Sequence, residues 1–418
     1  MKRFYFLLLA AVSACILVAC NQRMKPVLWD MSEIETLRGD EAFLTMADRY
    51  AKAEPATVLQ KVRCISGDPH NYESLASYHH PVPGQPDAPY VYRDGVFNPD
   101  CDLFNRTQLF DLGRNLQVLS KAYYISGKED YARAARRQLD AWFLDPDSFM
   151  YPNFDYSQIR LNNPDNPKNL GSPGGIIDVL LFGSVLESIR LLDSCGAIPR
   201  SMMKGLKAWF SDFERWLVES DLGMKENAAP NNHSLAMDVN LLDFALFTGN
   251  KVHSDRVIST FTERRLLPQI EPDGRQPREL ARTRPIHYSI YNLEHVLDFC
   301  CIMQSLGVPY YKEHQELIDA AFRVLTPYVG HLEDFPLHDI GDIAADDRRI
   351  RENVCRLQAL GSDSFDFDAL RPEKPVSWAG ETDPVLVWEF RMLDYDDALT
   401  LPSREARRES IRAWYANN

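Results

Sequence analysis

The stretch Leu109-Phe110-Asp111-Leu112-Gly113-Arg114-Asn115-Leu116-Gln117-Val118-Leu119-Ser120-Lys121-Ala122-Tyr123-Tyr124-Ile125-Ser126-Gly127 decides the fold class. Leu109, Leu112, Leu116, Leu119 and Tyr123 recur at three- and four-residue spacing, the period that lines one face of an α-helix. Gly127 follows the stripe at once, where a residue that tolerates the left-handed conformation closes a helix. Leu206, Trp209, Phe210, Phe213, Trp216 and Leu217 form a second wide stripe. Between Ile176 and Leu192 the chain is apolar nearly all round, with Val179, Leu180, Phe182, Val185, Leu186 and Ile189, which predicts a helix buried on several sides.

Gly196, Gly249 and Gly307 end three more such patterns. Helices of about 15 to 20 residues separated by short turns predict stacked antiparallel helix pairs and an all-α fold. Strand-like alternation is scarce. Three segments break the rhythm: 65 to 101, rich in Pro, Tyr, His and Asp; 144 to 175, with several Asn, Pro and Gly; and 266 to 288, with Pro and Arg. Connections this long in a compact domain are usually functional. No shift of composition marks a second domain, so residues 21–418 are expected to form one, with a small C-terminal extension from about 332, where helical regularity falls.

The 418 residues are 45% hydrophobic and 25% charged, the balance of a globular protein and not of a disordered or collagen-like chain. Lys and Arg total 46 against 60 Asp and Glu, a formal net charge of −14, which argues against a partner held through nucleic-acid phosphates. An anionic ligand then needs a local basic site. Residues 1–20 place Lys2 and Arg3 before an apolar run that reads as a signal peptide. Leu17-Val18-Ala19-Cys20 has the form of a lipobox, so Cys20 is expected to be lipidated, giving a periplasm-facing or cell-surface lipoprotein tied to the membrane only there. Cys64, Cys101, Cys195, Cys300, Cys301 and Cys355 fit no zinc spacing and read as small buried hydrophobes with one or two bridges among them.

Three constellations could carry chemistry. Asn231-Asn232-His233 opens the helical pattern Leu235, Val239, Leu242, Leu246, and so places polar groups at a helix N-terminus, where amide donors and the dipole favour an anion; simple capping by Asn is the alternative. Arg275, Arg278, Arg282 and Arg284 precede His287, Tyr288 and Tyr291; planar guanidiniums suit carboxylates, unless Glu271, Asp273 and Glu279 neutralise them. Tyr72, Tyr78, His79, His80, Tyr90 and Tyr92 offer flat, hydrogen-bonding surfaces of the kind that stack on sugar rings. His331, Asp334, His338 and Asp339 match no strong ligand spacing, so no metal and no cofactor is expected.

The order of these pieces resembles the alginate lyase superfamily of bacterial polysaccharide lyases. The resemblance runs through Asn71-Tyr72-Glu73-Ser74-Leu75-Ala76 to Tyr78, Pro89-Tyr90-Val91-Tyr92-Arg93-Asp94-Gly95 with Asn98-Pro99, and Ala141-Trp142-Phe143-Leu144-Asp145-Pro146. It continues through Tyr156 with Gln158, Gly175-Ile176-Ile177-Asp178, Asn231-Asn232-His233, and Arg282 with Tyr288-Ser289, and spans about residues 35 to 330. It implies an (α/α) toroid of antiparallel helix pairs with long lid and active-site loops. It also implies an active-site pair in Asn232 and His233, a catalytic tyrosine in Tyr288 with Arg282 before it, and substrate contacts at Gln158 and Tyr78; Arg284 and Tyr291 join the candidate binding residues. His79-His80 and Ser234 depart from relatives that carry tryptophan and glycine there, which changes the subsite contacts.

The implied reaction is β-elimination on a 4-linked polyuronate containing mannuronate or glucuronate. Removing H5 beside a carboxylate builds charge that Asn232, His233 and Arg282 would neutralise while Tyr288 moves protons; the residues alone leave open whether His233 is the base instead. An acidic polysaccharide is the expected partner. Two other readings fit the composition: a lipoprotein that binds glycans without cleaving them, and a glycoside hydrolase on a similar toroid using two opposed carboxylates, for which Asp178 and Asp238 are available.

Overall fold

The computed structural model describes residues 23–372, so the leader and Cys20 lie outside the described residues, as does the chain after 372. The helices are, in chain order, α1 (Met31–Glu35), α2 (Glu41–Lys52), α3 (Arg106–Ser126), α4 (Glu129–Phe143), α5 (Leu181–Ser194), α6 (Arg200–Glu219), α7 (Asp221–Asn227), α8 (Asn232–Thr248), α9 (Lys251–Phe261), α10 (Pro277–Leu280), α11 (Pro285–Ser305), α12 (Tyr310–Arg323) and α13 (Ile343–Ala359). Two kinds alternate. α3, α5, α8 and α11 are buried on nearly every side, whereas α4, α6, α9 and α12 each pair an apolar stripe with a charged face. The first kind forms an inner layer, in which α3 packs on α5 and α8 on α11, and the second covers it from outside.

The sequence explains this layering. α8 presents Met237, Phe244 and Phe247 to one core cluster and Leu235, Val239 and Leu242 to another, so it is apolar on opposite faces and joins the two halves. Phe182 of α5 meets Phe143, Phe154, Trp209, Phe210, Phe213 and Phe244 at ring distances of 5.5 to 6.4 Å, and so ties α4, α6 and α8 to α5. Each such fully buried aromatic contributes on the order of 1.5–3 kcal/mol. Gly127 and Gly249 close α3 and α8 with φ of 70° and 87°, as their positions after the stripes predict. The fold is all-α, as expected. The chain from 332 onward is not a separate appendage in its described part: Leu332, Ile350, Val354 and Leu357 enter the second core, and α13 packs on α11.

Two local expectations change. The apolar run from Ile176 does not enter α5 directly but begins as a 3-10 segment, Pro173–Leu180. Within it Gly175 lies so close to the β4 backbone that a Cβ there would stand 2.3 Å from the Ser157 carbonyl oxygen, which leaves no room for any side chain. The long connections hold the few strands of the described residues: β1 (Glu73–Leu75) pairs parallel with β4 (Tyr156–Ile159), and β2 (His79–His80) antiparallel with β3 (Val91–Tyr92). All six cysteines among the described residues are free thiols, so the expected bridges are not formed.

Candidate active site

The N-terminal ends of α8 and α11, the 3-10 segment and both small sheets converge on one cleft of about 240 Å³. Tyr78, Gln158, Asn232, His233, Arg282, Tyr288 and Tyr291 line it together. Arg284 does not. It sits at the N-cap of α11 with its side chain turned inward, 3.8 Å from both Asp339 and Asp346, and its carbonyl accepts from the Tyr288 amide. The site therefore gains no cleft-lining cation at 284, and Asp339 of the His331, Asp334, His338 and Asp339 cluster is engaged there, since it also caps α11 by accepting from the Ile286 amide.

Asn232 is held from behind. Its amide N–H and its Nδ2 both donate to Glu279, at 3.0 and 2.6 Å, so a buried carboxylate rests on the first turn of α8. Burial lifts the Glu279 carboxyl above the ordinary range, although Asn232, Arg282 and His233 pull the other way. Nδ2 keeps a second hydrogen for a ligand. Glu279 is thus hydrogen-bonded to Asn232, and within the arginine run Arg275 pairs with Asp273 at 2.8 Å and Glu271 at 3.5 Å.

His233 takes its orientation from Glu226, which lies 2.7 Å from Nδ1 and is itself buried. This fixes Nδ1 as the donor and leaves Nε2 for the cleft. Burial disfavours the imidazolium, but the Glu226 carboxylate outweighs it and the pKa moves up. The linkage has a definite sign: a raised pKa stabilises the fold fully below the ordinary histidine value of about 6.5 and is lost as pH rises through the raised one. Urea unfolding of Glu226→Gln should therefore show a smaller loss of stability as pH rises above about 6.5 than the unsubstituted protein does.

Arg282 reaches across from the loop before α11 to Asp94 beyond β3, donating through Nε at 3.1 Å and through Nη2 at 2.5 Å. Asp94 also accepts from Tyr92 and from the Thr283 amide and hydroxyl, and these donors hold its carboxyl well below the carboxylate range against the opposing effect of burial. With two donors engaged, the guanidinium carbon lies 3.7 Å from the centre of the Tyr288 ring. Its charge acts first on the phenol. The Tyr288 hydroxyl donates to the Tyr78 hydroxyl at 2.8 Å, so the two phenols meet in the cleft.

Gln158 stands in the left-handed region at φ 48°, where the β1–β4 register slips. Ser74 accepts from its amide at 2.8 Å, and its Nε2 donates to Asp178. Asp178 is fully enclosed and accepts as well from Tyr72 at 2.9 Å and Ser74 at 2.6 Å, with Arg106 3.7 Å away. Asp238 is likewise enclosed and takes Arg265 at 2.7 Å. Neither carboxylate lines the cleft, so the opposed pair that a hydrolase on this toroid would need is not made by these two.

Sequence reading missed Glu226, Glu279 and Asp94 as supports, and named His287 beside Tyr288 without giving it a place in the site. His287 lies beside Tyr288 with its Nδ1 2.7 Å from Arg349 of α13. Only its place next to Tyr288 hinted at it. Among the described residues no group of three or more His, Cys, Asp or Glu is arranged to hold a metal ion, and no helix is long and apolar enough to cross a membrane.

The comparisons with known proteins identify this helical toroid as a polysaccharide lyase. The family model for alginate lyase matches residues 60–335. A solved alginate lyase from Bacteroides ovatus superposes with a TM-score of 0.78 at 33% identity, over 84% of this chain and 97% of that one. Alginate lyase A1-III from Sphingomonas species A1 aligns with a TM-score of 0.44 at 14% identity, over 80% of this chain and 95% of that one. A search of the curated proteins finds no match. The chain belongs to the alginate lyase family.

Proposed function

We propose that this lyase cleaves a 4-linked polyuronate containing mannuronate or glucuronate by β-elimination, with Tyr288 moving the proton. The observation that carries the reading is the meeting of the Tyr288 hydroxyl, the Arg282 cation on its ring, and the Asn232 and His233 donors in one cleft.

A uronate whose C6 carboxylate lies between the second Nδ2 hydrogen of Asn232 and Nε2–H of a protonated His233 loses much of its negative charge. H5 then becomes more acidic, because the electron pair left at C5 delocalises into a carboxylate already hydrogen-bonded. A free tyrosine ionises near pH 10 and is a weak base source at neutral pH. Arg282 over the ring favours the phenolate, and Tyr78 can turn its hydroxyl to donate to that oxygen. The phenolate takes H5, the C5 electron pair forms the C4–C5 double bond, the C4–O4 bond breaks, and the new phenol returns its proton to O4. No water is consumed. In mannuronate and glucuronate H5 and O4 lie on one side of the ring, so one phenol can serve both steps.

A panel of polymannuronate, polyguluronate and glucuronan, read by the ultraviolet absorbance of the unsaturated sugar, tests the proposal. Product is expected from at least one of the two polymers with H5 and O4 on the same side. New reducing ends without absorbance would mark hydrolysis, and tight binding with neither signal would mark a glycan-binding protein.

A further inference from the structure

We infer that Arg160 forms a second carboxylate subsite, holding a uronate neighbouring the one that reacts, so that the cleft reads at least two consecutive acid groups of the polymer. This rests on the polyuronate reading above.

The cations of the cleft differ in what they are already doing. Arg282 is forked onto Asp94, and Arg106 lies 3.7 Å from buried Asp178. Arg160 lines the same cleft, is exposed, and has neither an ion pair nor a hydrogen bond among the described residues. In an otherwise acidic chain an unpaired guanidinium inside the substrate cleft is a site for an anion, and its planar fork matches a carboxylate. Burial and the Arg160 charge push His79 down to about 4, so that neighbour stays neutral under ordinary conditions and leaves the charge at this end to Arg160.

The backbone fixes where that charge sits. Arg160 follows β4 two residues after Gln158, a separation of about 6–7 Å along an extended chain. Gln158 is locked by Ser74 and Asp178. On the other side Asn162 donates to the Pro86 and Ala88 carbonyls at 2.8 and 3.1 Å, and the Leu161 carbonyl accepts from the Tyr90 amide. Arg160 is therefore carried on a stretch anchored at both ends, which limits the ordering cost of binding.

Calorimetry with saturated uronates of one to six sugars, on Tyr288→Phe protein with and without Arg160→Ala, tests this. A charge-assisted bidentate contact predicts that Arg160→Ala weakens the oligomers of two or more sugars by about 10- to 100-fold and the single uronate by a clearly smaller factor. Arg160→Lys should restore part of the loss, and the affinity of the Arg160 protein should fall more steeply with salt. Equal affinity with and without Arg160, or the same loss at every length, overturns the subsite while the lyase reading stands on its absorbance assay. If the unsubstituted protein releases no unsaturated product but shows the length-dependent loss, the subsite stands and the lyase reading fails. No binding of any uronate oligomer by either protein overturns the subsite.

Discussion

Tyr288→Phe is expected to lower turnover of the cleavable polyuronate by at least about 10²–10⁴-fold, the usual contribution of a positioned proton-transfer group, while oligosaccharide affinity changes little. The substitution removes one oxygen. It leaves the ring that Arg282 covers at 3.7 Å, and it leaves Asn232 and His233 on their carboxylate supports. Ground-state binding should therefore survive, and the loss should appear in kcat with KM nearly constant. Tyr78 keeps a hydroxyl within the cleft but has lost the partner 2.8 Å away, so it cannot replace the shuttle at the same position. If His233 were the only base, Tyr288→Phe would retain most activity and His233→Ala would carry the whole loss.

Asp178→Ala is expected to destabilise the fold by about 3–5 kcal/mol, as breaking a buried ionic and hydrogen-bonded group does. Its carboxylate gathers Tyr72, Ser74 and Gln158 and lies near Arg106, so truncation strands several polar groups in the interior at once. Tyr72 is wholly buried and has no solvent to turn to. Asp178→Asn keeps an acceptor and should cost less. Both variants should lower the urea midpoint before they lower kcat at low temperature, and a nearly full loss of turnover with an unchanged midpoint would instead make Asp178 a reacting group.

These two residues also show which parts of the site were legible in the chain. Asn232 and His233 announce themselves because a helix N-terminus is a local event, readable from the apolar pattern that follows. Tyr288 stands out through its position after the arginine run, helped by the family resemblance. What holds them was hidden. Glu279 meets Asn232 from 47 residues away, and Asp94 meets Arg282 from 188 away; no spacing rule reaches so far, since such pairings arise only when the helix layers close. Arg284 misled for the opposite reason. It is close to Arg282 in sequence, but as the N-cap of α11 its side chain is engaged with the buried carboxylates of Asp339 and Asp346 and does not line the cleft. The helix periodicities survived because burial repeats every three or four residues, whereas the short strands of the described residues lay in segments with no repeat to detect.

In the proposed reaction a sugar acid is held by Asn232 and His233 with its C5 hydrogen presented to the oxygen of Tyr288. A crystal structure of Tyr288→Phe protein soaked with a uronate tetrasaccharide measures this most directly. The account predicts one carboxylate hydrogen-bonded to Asn232 Nδ2 and His233 Nε2, with C5 about 3–3.5 Å from where the missing oxygen would stand. A sugar bound with its carboxylate turned away from both residues, or with C5 facing the opposite wall of the cleft, would contradict it.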